Sequence, residues 1–138
     1  MRSSWKLALV SAALLVACGG PLKYQVASTG KATGADAKIV AEVKKDLHQT
    51  AVNIEVTNLA PPARISPDSH QFVVWGRKGA SAIWTRLGNI AYVESDRGGK
   101  FEGTFPELEF DLEITVEKDD SVAAPGADIV FAQHIGPA

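Results

Sequence analysis

The strongest constraint on the fold is a strict alternation of apolar and mostly acidic residues in the stretch ELEFDLEITVEKDD, residues 107–120. Successive side chains of a β-strand point to opposite faces of a sheet, whereas an amphipathic helix repeats every three to four residues. The stretch therefore predicts a strand with one buried face. That face is formed by Leu108, Phe110, Leu112, Ile114 and Val116.

Shorter segments of the same kind follow one another along the chain. Residues 52–57 also alternate, and the run HQFVVWGRK, residues 70–78, is apolar on both faces, which is typical of a central strand covered on both sides. Further strands are expected at 22–27, 81–88, 90–95, 100–105 and 129–135. Segments rich in Pro and Gly separate them, and no stretch is convincingly helical. The pattern predicts an all-β, antiparallel β-sandwich or barrel of about eight strands.

Residues 35–47 are compatible with two structures. Apolar residues occupy every second position from Ala37 to Val43, as in a strand. A different subset from Ile39 to Leu47, spaced by three to four residues, would form one face of a helix. We favour the strand, because residues 45–49 then form the turn of a hairpin.

The start of the chain has the pattern of an export signal. Arg2 and Lys6 precede an apolar run from Leu7 to Val16, which is broken only by Ser11, and small residues follow. A positive start, a short apolar middle and a small-residue exit are typical of a secretory signal peptide. A bilayer-spanning helix needs roughly 20 apolar residues, so this run is too short to be a permanent anchor.

The exit of this segment reads Leu15-Val16-Ala17-Cys18, and Cys18 is the only cysteine of the chain. The tetrapeptide resembles the lipobox of bacterial lipoprotein precursors. The resemblance implies that residues 1–17 are removed, that the Cys18 thiol receives a diacylglyceryl group and that the new amino terminus is acylated. Gly19 follows the cysteine where Asp would favour the inner membrane, so the resemblance implies the outer membrane, facing the periplasm or the cell surface. The alternative is an ordinary buried thiol behind a plain signal or tail anchor.

The mature chain is expected to form one acidic domain. Without residues 1–17, which include Arg2 and Lys6, 121 residues remain, of which 12 are basic and 16 acidic, giving a net charge of −4. This charge argues against nucleic acid or anionic lipid as a partner. We divide the chain into a signal peptide at 1–17, a lipidated amino terminus and tether at 18–34, and a β-sandwich at 35–138.

Landmarks of the second half of the chain resemble a known domain. They are Phe72-Val73-Val74-Trp75, Leu87-Gly88-Asn89-Ile90, Ile114-Thr115-Val116-Glu117, and Pro125 ahead of Ile129-Val130. In this order they are similar to the extracytoplasmic domain of the anti-sigma-K factor family. The resemblance implies an immunoglobulin-like sandwich. It does not imply control of a sigma factor, because the sequence has no counterpart of that family's cytoplasmic helical region and transmembrane helix.

The sequence has no pattern for catalysis or metal binding. His48, His70 and His134 are not spaced as in H-x-H or H-E-x-x-H. There is no G-x-S-x-G elbow and no P-loop, and the mature chain has neither the free thiolate nor the methionine of a blue-copper site. We therefore predict no catalytic residue, no metal ligand and no cofactor other than the covalent lipid on Cys18.

The densest charged feature is an acidic ladder along one face of the predicted strand at 107–120. Its carboxylates lie about 7 Å apart, and they could bind calcium, although calcium ligands usually converge from a loop. We prefer a solvated sheet face paired with Lys or Arg across strands. Asp119 and Asp120, in the turn that follows, receive the same interpretation. The ladder consists of Glu107, Glu109, Asp111 and Glu113.

Trp84, Arg86 and Tyr92 form the candidate binding face. Trp84 and Arg86 share one face of the strand predicted at 81–88, and exposed aromatic and Arg side chains are common binding anchors for a protein or a glycan. The alternative, which we prefer, is that Trp84 covers the second face of the sandwich or an open edge of the core. Trp75 lies in the most apolar strand and is expected in the core, as in an immunoglobulin-like domain.

Two functions are compatible with these features. The first is a lipid-anchored protein of the cell envelope, whose non-catalytic β-sandwich binds an envelope protein or glycan or has a structural role. The alternative is an envelope enzyme or ligand-binding protein acting on glycan or peptide, and it rests only on the Trp84 and Arg86 face and the acidic ladder. The lipobox and the lack of a catalytic pattern favour the first.

Overall fold

The computed structural model describes residues 20–137, so the predicted signal peptide at 1–17 and the predicted lipid-attachment residue Cys18 lie outside the described residues. Within them, nine strands alternate with turns, a single-turn helix α1 (Pro62–Ile65) and two 3-10 turns (Lys45–Leu47 and Glu94–Asp96). The strands are β1 (Leu22–Ala27), β2 (Asp36–Lys44), β3 (Gln49–Thr57), β4 (Gln71–Arg77), β5 (Thr85–Asn89), β6 (Ala91–Val93), β7 (Gly98–Phe105), β8 (Phe110–Glu117) and β9 (Ile129–Ile135).

The strands form two antiparallel sheets. One has the order β1-β2-β3-β7-β6 and the other the order β5-β4-β8-β9. Apart from β1, these orders correspond to strands A, B, E and D facing strands C′, C, F and G of an immunoglobulin domain. The predicted immunoglobulin-like, antiparallel all-β sandwich is therefore confirmed, with nine strands where about eight were expected.

The ambiguous segment at 35–47 is a strand followed by a turn, as favoured. β2 pairs with β3 from Asp36 opposite Thr57 to Lys44 opposite Gln49. The turn between them closes with His48 in the left-handed region at φ 50°. The β6–β7 turn is built in the same way, with Arg97 at φ 51°.

The sandwich begins earlier than the predicted boundary at residue 35. The strand expected at 22–27 forms, and as β1 it pairs with β2 from Leu22 opposite Ala41 to Ala27 opposite Asp36. Leu22 and Tyr24 pack against the core, and Val26 belongs to it. Residues 22–27 of the predicted tether therefore belong to the five-stranded sheet, because they pair with β2 and their apolar side chains pack against the core.

The core lies between the sheets. Phe72 and Val74 of β4 face it, as do the alternate apolar residues of β8 from Phe110 to Val116. The ring centroids of Phe105 and Phe110 are 4.6 Å apart. A Cβ atom on Gly76 would lie 3.1 Å from the Phe105 ring, so the glycine makes room for that side chain.

Several predicted strands are shorter in the structure. β8 begins at Phe110, not at residue 107, so Leu108 lies in the preceding loop. β5 begins at Thr85, because Ser81 and Ala82 still belong to a turn, and Trp84 therefore precedes the strand. The segment predicted at 90–95 forms only the three-residue strand β6 before a 3-10 turn begins.

The antiparallel pairing distributes the connections over two ends of the sandwich. The entry end holds the start of β1, the turn 45–48, the loops 78–84 and 106–109, and the end of β9. The far end holds the loops 28–35, 58–70 and 118–128 and the turn 94–97. Among residues 20–137, no helix is long and apolar enough to cross a bilayer.

Candidate binding surface

Trp84, Arg86 and Tyr92 do not form a single face. Trp84 is half-buried beside the four-stranded sheet, where the guanidinium of Arg77 lies 4.4 Å from the centre of its ring. Tyr92 belongs to β6 in the other sheet, and its hydroxyl donates a hydrogen bond to the carbonyl of Leu59. Burial raises the pKa of this hydroxyl. The candidate face is thus divided between the two sheets, and Tyr92 packs against the core.

Arg86 holds the β8–β9 loop, residues 118–128, against the four-stranded sheet. Its guanidinium donates to the carbonyl of Val122 at 3.3 Å and to the Asp120 carboxylate at 3.1 Å. A third bond, of 2.8 Å, goes to Asn89 Oδ1. These three hydrogen bonds of the Arg86 guanidinium therefore all go to residues of the same domain.

Trp75 is fully buried, but it does not lie between the two sheets. Strand alternation places Phe72 and Val74 in the core, so Val73 and Trp75 point to the outer face of the four-stranded sheet. Both have an exposed fraction of 0 %. The expectation of a buried Trp75 holds. Its position differs from that of the core Trp of an immunoglobulin-like domain, because the alternation of β4 turns Phe72 and Val74 towards the other sheet.

A chain of buried hydrogen bonds lies beneath the β8–β9 loop. Trp75 Nε1 donates to Thr115 Oγ1 at 2.8 Å, and Thr115 Oγ1 donates to Glu117 Oε2. The same carboxylate oxygen accepts the backbone N–H of Gly126 at 2.8 Å. Because Thr115 and Glu117 are themselves buried, these bonds tie the loop to the sheet without leaving a polar group unpaired.

Glu113 departs from the predicted solvated face. It lies directly opposite Trp75 and has an exposed fraction of only 7 %. Burial raises the pKa of its carboxyl, the positive charge of Arg77 lowers it and the charge of Glu117 adds to the increase. The acidic ladder is therefore not uniform, because Glu113 is buried while Glu109 is exposed.

The other members of the ladder lie beside histidine or arginine side chains. The two ring nitrogens of His134 lie 2.8 Å from Asp111 Oδ1 and 2.7 Å from Glu109 Oε2, and these hydrogen bonds raise the pKa of His134. The bond to His134 lowers the pKa of Asp111, burial opposes it, and Arg77, at 3.3 Å, adds to the decrease. Glu107 lies 3.7 Å from His48. Of the expected cross-strand pairs with Lys or Arg, Arg77 with Asp111 forms, whereas Glu109 and Glu107 contact histidines.

The far end carries an open depression between the loops 58–70 and 118–128. Asp120 accepts hydrogen bonds from Gln71 at 3.0 Å, Arg86 and Asn89, although its side chain is 84 % exposed. The bond from Gln71 is the largest cause that lowers the Asp120 pKa, and bonds from Ser121 lower that of Asp119. The lining residues are Asp68, His70, Gln71, Lys118, Asp119 and Asp120.

This depression is the candidate binding surface that the sequence did not reveal. Its lining brings two loops together that are separated by most of the second half of the chain, and the only local signal was the Asp119-Asp120 pair. With three carboxylates and one lysine, it presents negative charge to a ligand. Within the described part of the chain, no group of three or more His, Cys, Asp or Glu residues is placed to hold a metal ion.

Comparisons with known proteins identify no relative: no protein-family model, curated sequence or solved structure matches the chain. The resemblances to the lipobox and to the anti-sigma-K domain therefore stay predictions, and function is argued from the residues and the geometry.

Proposed function

We propose that the chain is a lipid-anchored protein of the bacterial cell envelope, whose β-sandwich binds a partner at its far end and has no catalytic role. The observation that carries this proposal is the position of β1. β1 runs antiparallel to β2, so the chain enters the sandwich at the end opposite to the loops 58–70, 94–97 and 118–128. An anchor before β1 leaves those loops pointing away from the membrane.

The anchor itself is supported by the lipobox at Leu15–Cys18. Each buried CH₂ of an acyl chain contributes about 0.8 kcal/mol, and two or more chains hold a protein firmly on a membrane. Three residues, Gly19, Gly20 and Pro21, separate Cys18 from β1. A tether this short keeps the entry end of the sandwich close to the lipid surface.

β1 determines which end faces the membrane. A domain without this strand would begin at β2, whose first residue, Asp36, lies at the far end. Its lipid would then sit beside the loops 58–70 and 118–128, where the membrane would obstruct a large partner. Because β1 runs antiparallel to β2, it places the lipid attachment point at the entry end of the sandwich. The far end then stays free of the membrane, and this supports it as the partner surface.

The chemistry of the depression indicates the kind of partner. Asp119 and Asp120 are ionised at neutral pH, as aspartates of ordinary pKa are, and hydrogen bonds lower the pKa of both carboxyls further. A surface of this charge suits an envelope protein that presents Lys or Arg side chains. The net charge of −4 for the mature chain also attracts a positively charged partner.

The alternative of an envelope enzyme or ligand-binding protein loses the two features on which the sequence based it. It depended on a free acidic ladder and on an exposed Trp84 and Arg86 face. Arg77 and His134 pair with Asp111, while Arg86 bonds to the loop 118–128. We therefore retain only the binding function.

The anchor is tested with Cys18→Ser in cells that are fed radioactive palmitate. Wild-type protein is expected in the membrane fraction and labelled, and the variant is expected in the soluble fraction and unlabelled. Circular dichroism of both forms checks that the fold is unchanged. A variant that stays with the membranes and takes up label would refute the lipid anchor.

The partner surface is tested by replacing Asp119 with a photo-reactive amino acid in intact cells. Thr104, which is exposed on the outer face of the five-stranded sheet, is the matched control position. We expect an adduct of defined mass from position 119 and none from position 104. An adduct of equal yield from both positions, or from position 104 alone, would place the partner elsewhere.

A further inference from the structure

We propose that the tip of the β2–β3 hairpin, residues 44–48, is a second membrane contact. In this arrangement the side chain of Leu47 enters the phospholipid interface of the same bilayer that holds the lipid on Cys18. The inference rests on the proposed lipid anchor and adds a contact made by the folded domain itself.

The hairpin projects beyond the point where β1 begins. Leu22, the first residue of β1, lies opposite Ala41. The β2–β3 pairing continues past this level through three more residue pairs and ends with Lys44 opposite Gln49. At roughly 3.4 Å per residue, the last pair lies about 10 Å beyond Leu22, and the turn lies further out.

The tether cannot hold the hairpin far from the lipid. Four residue steps join Cys18 to Leu22, so a fully extended tether spans at most about 14 Å. The last residue pair of the hairpin already lies about 10 Å beyond Leu22 on the side of the entry end, which is most of the distance that the tether can span. A lipid on Cys18 fixes that residue at the membrane surface, and any bend in the tether brings the tip closer still.

The residues at the tip suit a lipid interface. Leu47 is 63 % exposed, and no residue of the turn 45–47 is buried. A single exposed leucine is ordinary on a protein surface, but Leu47 lies at the tip of a hairpin that projects beyond the start of β1 at the entry end. Lys44 and Lys45 flank the turn, and such side chains extend their ammonium groups towards headgroups while their stems contact apolar material.

The contact does not require anionic lipid. The two lysines of the tip are offset by Asp46 within the turn and by Glu42, whose carboxylate lies 3.9 Å from the Lys44 ammonium. The tip is therefore close to neutral, and the apolar side chain of Leu47 supplies the attraction. This agrees with the acidic character of the whole mature chain.

The tip is held in place before it meets a membrane. The N–H of His48 bonds to the Lys45 carbonyl at 3.1 Å and closes the turn. Thr50 Oγ1 donates to the Glu107 carbonyl at 2.7 Å, which braces the base of the hairpin against the loop 106–109. Little conformational freedom is lost when such a turn inserts, and a second fixed point would set the tilt of the sandwich.

The test uses the full lipidated protein in phosphatidylcholine vesicles. Cys18 is the only natural cysteine, so Leu47→Cys provides a single free thiol for an environment-sensitive fluorophore once Cys18 is acylated. Ser121→Cys, on the exposed loop 118–128 of the far end, is the matched control. The vesicles contain a lipid that carries a nitroxide quencher near its headgroup.

We expect blue-shifted emission and quenching at position 47, no quenching at position 121, and no change when anionic lipid is added. If the labelled protein floats with the vesicles but position 47 is unquenched, the hairpin contact is refuted while the lipid anchor stands. If the protein does not float, the lipid anchor fails and the inference fails with it. Equal quenching at both positions would mean that the domain lies flat, which also overturns the proposal.

Discussion

The outer face of the five-stranded sheet is open to water, and its Lys38, Glu55 and Lys100 side chains are exposed. The ammonium of Lys100 lies 3.6 Å from the Glu55 carboxylate, as expected for a surface ion pair. The outer face of the four-stranded sheet carries polar residues at the same strand period. There, however, Thr115 and Glu117 are buried under the loop 118–128.

The difference between the two outer faces shows that period-two polarity does not by itself place a strand face in solvent. On β3 and β7 the polar residues meet water. On β8 they bond to the Trp75 indole and to the loop backbone at Gly126. A polar group can be buried when a specific partner satisfies it, and that partner comes from a distant part of the chain.

The sharpest test of the covered face is Trp75→Ala. We expect a loss of about 3–5 kcal/mol in the free energy of unfolding, because a fully buried ring leaves a cavity and Thr115 Oγ1 loses the hydrogen bond that it accepts from the indole. Val40→Ala, on the outer face of the five-stranded sheet, is the control and should cost about 1 kcal/mol or less. Urea denaturation of the Cys18→Ser form measures both. A cost within about 0.5 kcal/mol for Trp75→Ala would mean that the ring lies on the surface.

Thr115→Val separates the hydrogen bonds from the packing. The substitution keeps the shape of the side chain but leaves the buried Trp75 N–H without an acceptor, so we expect a loss of about 1–3 kcal/mol. Thr104→Val, at an exposed position of β7, should change stability by less than about 0.5 kcal/mol. Equal effects of the two substitutions would show that the outer faces do not differ.

Glu113→Gln is expected to stabilise the domain at neutral pH. The folded-state pKa of this carboxyl is raised by burial, so the unfolded chain ionises first and wild-type stability falls as pH rises above about 4.5. The neutral amide avoids this cost, and the gain should reach about 1 kcal/mol at pH 7 and vanish near pH 3. Unfolding curves at several pH values measure it. A loss of stability at pH 7 would show that the ionised carboxylate has a favourable partner.

His134→Gln should have the smallest effect. The folded-state pKa of His134 is raised by Asp111 and Glu109, so the protonated ring contributes stability that is present below about pH 6.5 and lost as pH rises through the raised value. Because the ring is about half exposed, the expected loss in the variant is about 0.5–1 kcal/mol at pH 6. A loss that is the same at pH 6 and pH 9 would assign the effect to packing.

Much of the fold could be predicted from the sequence, because it depends on local patterns. Alternation identified the inward residues of β8, and the doubly apolar run identified β4 as a strand covered on both sides. The strand was favoured at 35–47 because it leaves 45–49 as a hairpin turn, and β2 forms there. The boundary at residue 35 was set too late, because the pairing of β1 with β2 depends on contacts that periodicity does not report.

The candidate sites were harder to predict, because they depend on which strands become neighbours. Trp84, Arg86 and Tyr92 are close in sequence, but β5 and β6 belong to different sheets. Glu113 is buried opposite Trp75, and that pairing depends on the register of β4 and β8. Asp68 and Asp120 both line the depression at the far end, and no spacing pattern in the sequence predicts that these two residues lie close together.

The central claim is that a lipid on Cys18 holds the sandwich by its entry end. The most direct measurement is mass spectrometry of the protein extracted from membranes in detergent, with sequencing of its amino-terminal peptide. We predict a chain that begins at Cys18 and carries the mass of a diacylglyceryl group on that residue. A chain that retains residues 1–17, or one with an unmodified Cys18, would contradict the account.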